Sequence, residues 1–160
     1  MSVDTEAARR EFLTCRLGDE SYGIDILQVQ EIREVRQVTR VPHVSRYLRG
    51  VVNLRGAIVP VVDLGLMFGF DKPIELAEAS AIVLNVEGRL VGIVVTAVSD
   101  VIALADDEIM PAPELGARKI GTAISGIGAR KSAEGETLKE ASVLLLDVAT
   151  IMRRIREDGE

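Results

Sequence analysis

Side chains able to carry covalent or acid–base chemistry are scarce in this chain. His43 is its one histidine and Cys15 its one cysteine. His43 follows a proline in Val41-Pro-His-Val-Ser45, with no second histidine for a relay and no G-x-S-x-G elbow. Cys15 stands in an alternating stretch among apolar neighbours, where a cysteine behaves as a small hydrophobe. A nucleophile–base couple would have to bring these two together from distant parts of the chain. A small hydrolase or transferase using Cys15 or His43 is therefore the enzymatic alternative, and nothing local supports it. One Cys and one His also exclude the usual zinc frameworks. Asp106-Asp-Glu108 lacks the alternate ligand spacing of a calcium loop. The glycines at 121, 126 and 128 do not form a phosphate-binding loop. No cofactor is implied.

One charged side chain stands apart. Arg55, in Asn53-Leu-Arg-Gly56, projects from a tight turn between two aliphatic stretches. A guanidinium there offers five donors in a planar fork, suited to a partner's carboxylate or backbone. A solvated turn charge is the plainer reading of the same spacing. The valine pairs Val51-Val52 and Val61-Val62 are also unusual. Neighbours in a strand point to opposite faces, so either both faces are buried or one receives a partner.

The elements that position these residues are short strands. Glu11–Leu17 alternates with period two, Gly18–Ser21 is a turn and Tyr22–Ile26 resumes, which makes a hairpin. Residues 27–35 suit a short helix or an irregular strand equally. Pro42 ends that segment, and Val44–Gly50 has the spacing of one short helix. Val51–Leu54 and Ala57–Leu64 flank Arg55-Gly56, with Pro60 implying a sheet edge or a bulge. Leu64–Phe68 is a turn of helix, and residues 71–79 are linker-like. Ala81–Val86 and Arg89–Val95 form a second hairpin around Glu87-Gly88. Its Asn85-Val-Glu-Gly88 echoes Asn53-Leu-Arg-Gly56, a hint of two similar β units or of shared turn chemistry. Ala97–Leu104 is extended, residues 105–119 loop-like, Ile120–Ile127 a strand, 128–140 a polar loop and Ala141–Asp147 the last strand. Val148–Ile155 is helical in spacing. Nine or ten short strands with turn signals between them describe an all-β barrel or sandwich.

Composition agrees. The 160 residues include 20 Val and 14 Ile but only five aromatics, so the core is aliphatic and strand-prone. A formal charge of −6 argues against nucleic acid as a partner. No apolar run approaches a membrane span, and the N-terminus lacks a signal peptide's basic start and apolar stretch. The lone cysteine suits a reducing, cytoplasmic setting.

Several runs, in order, resemble the CheW-type chemotaxis coupling proteins. They are Phe12-Leu-Thr-Cys-Arg-Leu-Gly-Asp-Glu-Ser-Tyr-Gly-Ile-Asp-Ile-Leu-Gln-Val-Gln-Glu-Ile-Arg33, Val38–Pro42, Leu48-Arg-Gly-Val-Val-Asn-Leu-Arg-Gly56 and Ile58-Val-Pro-Val-Val-Asp-Leu64. Val91–Val95, Val98-Ser-Asp-Val101 and Ile124–Gly128 follow. The resemblance implies an all-β fold with a few short helices: two small five-stranded SH3-like β-barrels around a shared aliphatic core. It divides the chain into a disordered tail (1–10), one domain (11–152) with a subdomain boundary near 71–80, and a charged tail (153–160). It implies a non-enzymatic adaptor that joins the cytoplasmic tips of methyl-accepting chemoreceptors to the regulatory domain of the histidine kinase CheA, without inserting into the membrane. A chain of this length has no room for the kinase's own domains or for an added receiver, so the expectation is a stand-alone adaptor, recruited to receptor clusters. A scaffold of the same kind in a pilus or other chemosensory pathway is the alternative. By resemblance Arg55 belongs to receptor coupling, and Val29, Glu31, Gly50, Val98 and Val101 match positions of receptor or kinase contact.

Overall fold

The computed structural model describes residues 9–35, 37–42, 44–111, 123–131 and 137–158. Among these residues, eleven strands alternate with helical pieces. β1 (Arg10–Leu17) and β2 (Glu20–Asp25) lead through a 3-10 turn (Ile26–Gln28) to β3 (Val29–Arg33). β4 (Leu48–Leu54), β5 (Ala57–Asp63), helix α1 (Leu64–Met67), a 3-10 turn (Leu76–Glu78), β6 (Ser80–Val86) and β7 (Arg89–Val95) follow. The chain then runs through β8 (Ala97–Leu104), a 3-10 turn (Asp106–Glu108), β9 (Ile109–Pro111), β10 (Ile124–Lys131), β11 (Thr137–Leu146) and helix α2 (Val148–Asp158). Two sheets result, one ordered β8-β1-β2-β11-β10-β9 and the other β3-β6-β7-β5-β4. This is the expected all-β class, with a three-residue sixth strand added to the first sheet.

Each sheet has its two edges joined by one bent stretch of chain. In the first, the edge strands β8 and β9 are consecutive, and the corner between them is held by Glu108, whose carboxylate accepts from the Ala105 N–H at 2.8 Å. In the second, the chain leaving edge strand β3 reaches the opposite edge, where Thr39 and Val51 exchange two backbone hydrogen bonds of 2.9 Å. Curling of this kind removes free edges.

Three apolar clusters follow from strand alternation. Phe12, Leu104, Val143 and Leu145 fill the first sheet, and Leu54, Val59 and Val83 fill the second. The largest cluster lies between the sheets. It takes Leu13, Cys15, Leu17, Tyr22 and Ile24 from one, Ile82, Leu84, Val91, Ile93 and Val95 from the other, and Met67 and Ile151 from the two helices. Neighbours in β1, β6 and β11 thus point into different clusters. That explains valine on both faces: Val61 and Val62 are both fully buried.

Several expectations change. The stretch Val44–Gly50 is not a helix. Leu48–Gly50 are drawn into the β4–β5 ladder, and Tyr47 is fixed by its carbonyl accepting from the Asp63 N–H (2.7 Å) and its hydroxyl donating to the Arg154 carbonyl (3.2 Å). β5 is an inner strand, not an edge. Pro60 is tolerated because it precedes the parallel pairing with β7, which begins at Val61. Residues 71–79 join β5 to β6 inside one sheet, and the chain crosses between sheets at β2–β3 and β7–β8 instead. The polar stretch 128–140 includes the ends of β10 and β11, where Gly128 pairs with Val143 and Lys131 with Thr137. Residues 109–111 are a strand, Arg10 belongs to β1, and α2 continues to Asp158. The Asn-x-x-Gly echo belongs to two hairpins of the same sheet, so it marks turn geometry and not the two β units.

Candidate functional site

The two hairpin turns are built alike. The side-chain oxygen of Asn53 accepts from the Gly56 N–H and that of Asn85 from the Gly88 N–H, both at 2.9 Å. Arg55 and Glu87 have φ near 52° and 53°, and Gly56 and Gly88 have φ of 90° and 86°. Positive φ at both central residues gives the hairpin turn that matches strand twist. An arginine held at positive φ is strained relative to glycine, and here the asparagine cap and the ladder on either side hold it.

From that turn Arg55 reaches back to β3. Its two terminal nitrogens lie 3.2 and 2.9 Å from the two carboxylate oxygens of Glu31, a forked pair. Arg33 stands further off, at 3.9 Å from the same carboxylate. The pairing lowers the Glu31 carboxyl below its usual range, chiefly through the hydrogen bond from Arg55, and raises the Arg55 guanidinium further. The arginine side chain is still 69% exposed, so it pairs with Glu31 and faces solvent together.

The other five expected site residues lie in strands, and all five flank β-bulges, where one strand carries an extra residue and re-aims its side chains. Val29 and Glu31 stand two apart, yet pair with the adjacent Leu84 and Val83. Val29 therefore follows Leu84 onto the shared core, and Glu31 turns to the other face. The intervening Gln30 is held by the Asn85 amide, which donates to its side-chain oxygen at 3.1 Å. In β4 the shift falls between Leu48 and Gly50. Arg49 between them donates to buried Asp63 (3.3 Å) and to the Ile74 carbonyl (2.8 Å). In β8, Val98 pairs with Cys15 and Val101 with Leu13, leaving Ser99 and Asp100 opposite the single residue Thr14.

Gly50 has a packing reason of its own. It is buried with φ of 148°, and a Cβ there would stand 2.4 Å from the Thr39 carbonyl oxygen. Only glycine lets the closing segment approach. Val29 and Val98 are half-buried against the shared core, while Val101 is 47% exposed. The structure thus joins Arg55 directly to Glu31, sets Val98 and Val101 on one strand, and keeps Gly50 inside.

Asp63 escaped the sequence reading. Fully buried at the end of β5, it accepts from the backbone N–H groups of Leu66 (2.9 Å) and Ile74 (2.7 Å) as well as from Arg49. It caps α1 and pins the 71–79 stretch. The available signal was an aspartate directly ahead of an apolar helical turn.

The Cys/His alternative loses its nucleophile. Cys15 is fully buried, and burial pushes its thiol up to about 12, so it stays protonated and inert at neutral pH. His43 lies outside the described residues. Among the described residues no helix is long and apolar enough to cross a membrane.

The chain is similar to known proteins in sequence and in fold. A family model described as the CheW-like domain matches residues 11–156. The chemotaxis protein CheW of Klebsiella aerogenes is 42% identical over 147 residues, covering 92% of this chain and 84% of that protein. The probable chemotaxis protein CheW of Rhizobium etli is 38% identical over 106 residues, 66% of this chain and 68% of its own length. The crystal structure of the scaffolding protein TtCheW from Thermoanaerobacter tengcongensis is similar with a TM-score of 0.74 at 27% identity, over 86% of this chain and 88% of that one.

Proposed function

The chain belongs to the CheW-like family, and from that premise we propose that it is a non-enzymatic adaptor joining the cytoplasmic tips of methyl-accepting chemoreceptors to the histidine kinase CheA. The observation that carries this reading is the family match over nearly the whole chain, together with an exposed hairpin-tip arginine, Arg55, held by Glu31 of β3. An exposed arginine set by a fixed partner is pre-organised, so little side-chain freedom is lost when a second protein meets it. The half-buried valines Val29 and Val98 offer apolar area continuous with a packed core, the usual centre of an interface.

Coupling needs no chemistry from this chain. A scaffold transmits a signal when its contacts differ in free energy between two receptor or kinase states. Moderate affinities suffice, because clustered receptors present many sites at once. The protein is then recruited to receptor clusters by binding alone. The test is a titration of the purified chain with a receptor cytoplasmic fragment and with the kinase's regulatory domain. Saturable binding to both is expected, and absence of binding to either overturns the adaptor reading.

A further inference from the structure

Val98 and Val101 are three residues apart, a spacing that in a regular strand sends side chains to opposite faces. In β8 they do not diverge. Their ladder partners, Cys15 and Leu13, are two apart and both lie in the shared core. Residues directly opposite one another in an antiparallel pair share a face. The bulge at Ser99-Asp100 therefore brings Val98 and Val101 to one face, Val98 packed against the core and Val101 emerging from it, half exposed.

What holds the bulge is one side chain. Thr14 is 6% exposed, and its hydroxyl lies 2.9 Å from the Asp100 carbonyl oxygen and 2.8 Å from an Asp100 carboxylate oxygen, while it accepts from the Asp100 N–H at 3.1 Å. A bulge leaves its extra residue without a ladder partner. Here the threonine opposite supplies the missing donor and acceptor.

We infer that Thr14 and Asp100 form a positioning lock that keeps Val98 and Val101 on a common partner-binding face. The inference deepens the adaptor reading and rests on it: the lock acts on partner binding through Val101 and touches no partner itself. A threonine that merely filled space would be replaced by valine without consequence for binding. A lock loses its hydroxyl in Thr14→Val and keeps it in Thr14→Ser.

The experiment titrates wild type, Thr14→Val, Thr14→Ser, Val101→Ala and the double variant Thr14→Val/Val101→Ala with the receptor fragment and the kinase regulatory domain. Thr14→Val is expected to weaken, by about fivefold or more, binding of whichever partner Val101→Ala weakens. Thr14→Ser is expected to bind as wild type. The double variant should be no worse than the poorer single one, whereas Thr14→Val combined with Arg55→Ala should be additive. Asp100→Ala removes the carboxylate contact and keeps the two backbone ones, so it is expected to weaken binding less than Thr14→Val, and Thr14→Ala, which also lacks the hydroxyl, takes the place of Thr14→Val if that variant does not fold. Normal binding by Thr14→Val, or by Thr14→Ala in its place, beside weakened Val101→Ala overturns the lock and leaves the adaptor reading standing. Unchanged binding by Val101→Ala removes both the lock and Val101's contact role, with adaptor function then judged from the wild-type titration.

Discussion

The Arg55 guanidinium grips the Glu31 carboxylate through two hydrogen bonds of 3.2 and 2.9 Å, tying the β4–β5 tip to edge strand β3 across the open end of the second sheet. Neither residue is a neighbour of the other in the ladder order. The contact exists because the sheet curls until its edges meet. A residue implied to touch a partner is thus also a clasp within the fold, and the two roles separate by mutation.

Arg55→Ala should leave the fold intact and weaken receptor coupling by at least about tenfold, as expected of an interfacial arginine anchor. Glu31→Gln keeps the shape but removes the charge, and should weaken the same binding less. Far-ultraviolet circular dichroism checks the fold, and titration of each variant with the receptor fragment checks the contact. An unfolded Arg55→Ala would reassign the arginine to structure, and normal binding would remove it from the interface.

The pair also sets a pH dependence. The Glu31 carboxyl lies below its ordinary value of about 4.3, first through the hydrogen bond from Arg55 and then through the charges of Arg55 and Arg33, with partial burial opposing. A depressed folded-state value means that the stabilisation is fully present above the unfolded-state value and is lost as pH falls through the folded one. The stability difference between wild type and Glu31→Gln should therefore hold level from neutrality down to about pH 5 and vanish in stronger acid. Urea midpoints of the two proteins across that range measure it, and a difference that changes near neutrality would contradict the assignment.

The hairpin that carries Arg55 is legible in Asn-x-x-Gly, because the asparagine cap and the glycine at positive φ are both written in residue types. The aliphatic core and its two-sided strands are legible in the same way. The bulges are not. Spacing alone sends Val98 and Val101 to opposite faces and Val29 and Glu31 to the same one, and both assignments reverse once the ladder shifts by a residue. At each shift the extra residue is bonded by a side chain far away in sequence, Asp100 by Thr14 and Gln30 by Asn85. In the 128–140 stretch glycine and polar residues have the composition of a loop, while the pairing of Gly128 with Val143 and of Lys131 with Thr137 is set by the facing strand.

Gly50→Ala should lower stability by about 2 kcal/mol or more, because the added Cβ meets the Thr39 carbonyl and the backbone conformation is one that glycine adopts freely. Loss of the Thr39–Val51 bridge should appear as faster amide exchange at both residues. Thermal and denaturant midpoints check the stability. A variant as stable as wild type would show that the closing segment can move aside.

Asp63→Ala should cost about 3 kcal/mol, since it leaves Arg49 without its carboxylate and two backbone donors without an acceptor. The figure is taken at the lower end for a broken buried pair because the Arg49 side chain is 22% exposed and can still reach water. Asp63→Asn retains one acceptor and should fall in between. Urea unfolding of both variants measures the order, and equal losses would indicate that charge, not the number of accepted hydrogen bonds, matters at this position.

The shared core makes the two sheets one cooperative unit. Ile93 of the second sheet and Leu13, Leu17 and Ile24 of the first belong to a single buried cluster, and Tyr22 of β2 stacks against Phe68 after α1 at 5.7 Å between ring centres. Ile93→Ala removes three buried carbon atoms from the middle of that cluster and should cost about 3 kcal/mol. If each sheet stood on its own interior, the loss would fall on the second sheet alone. Among the described residues the buried members of the two sheets' own clusters are Phe12, Leu104, Val143 and Leu145 in the first and Leu54, Val59 and Val83 in the second, both smaller than the shared layer on which they rest. Hydrogen exchange read by mass spectrometry should therefore show β1 and β2 losing protection together with β6 and β7 in Ile93→Ala. Protection lost in β6 and β7 alone would show two independently stable units.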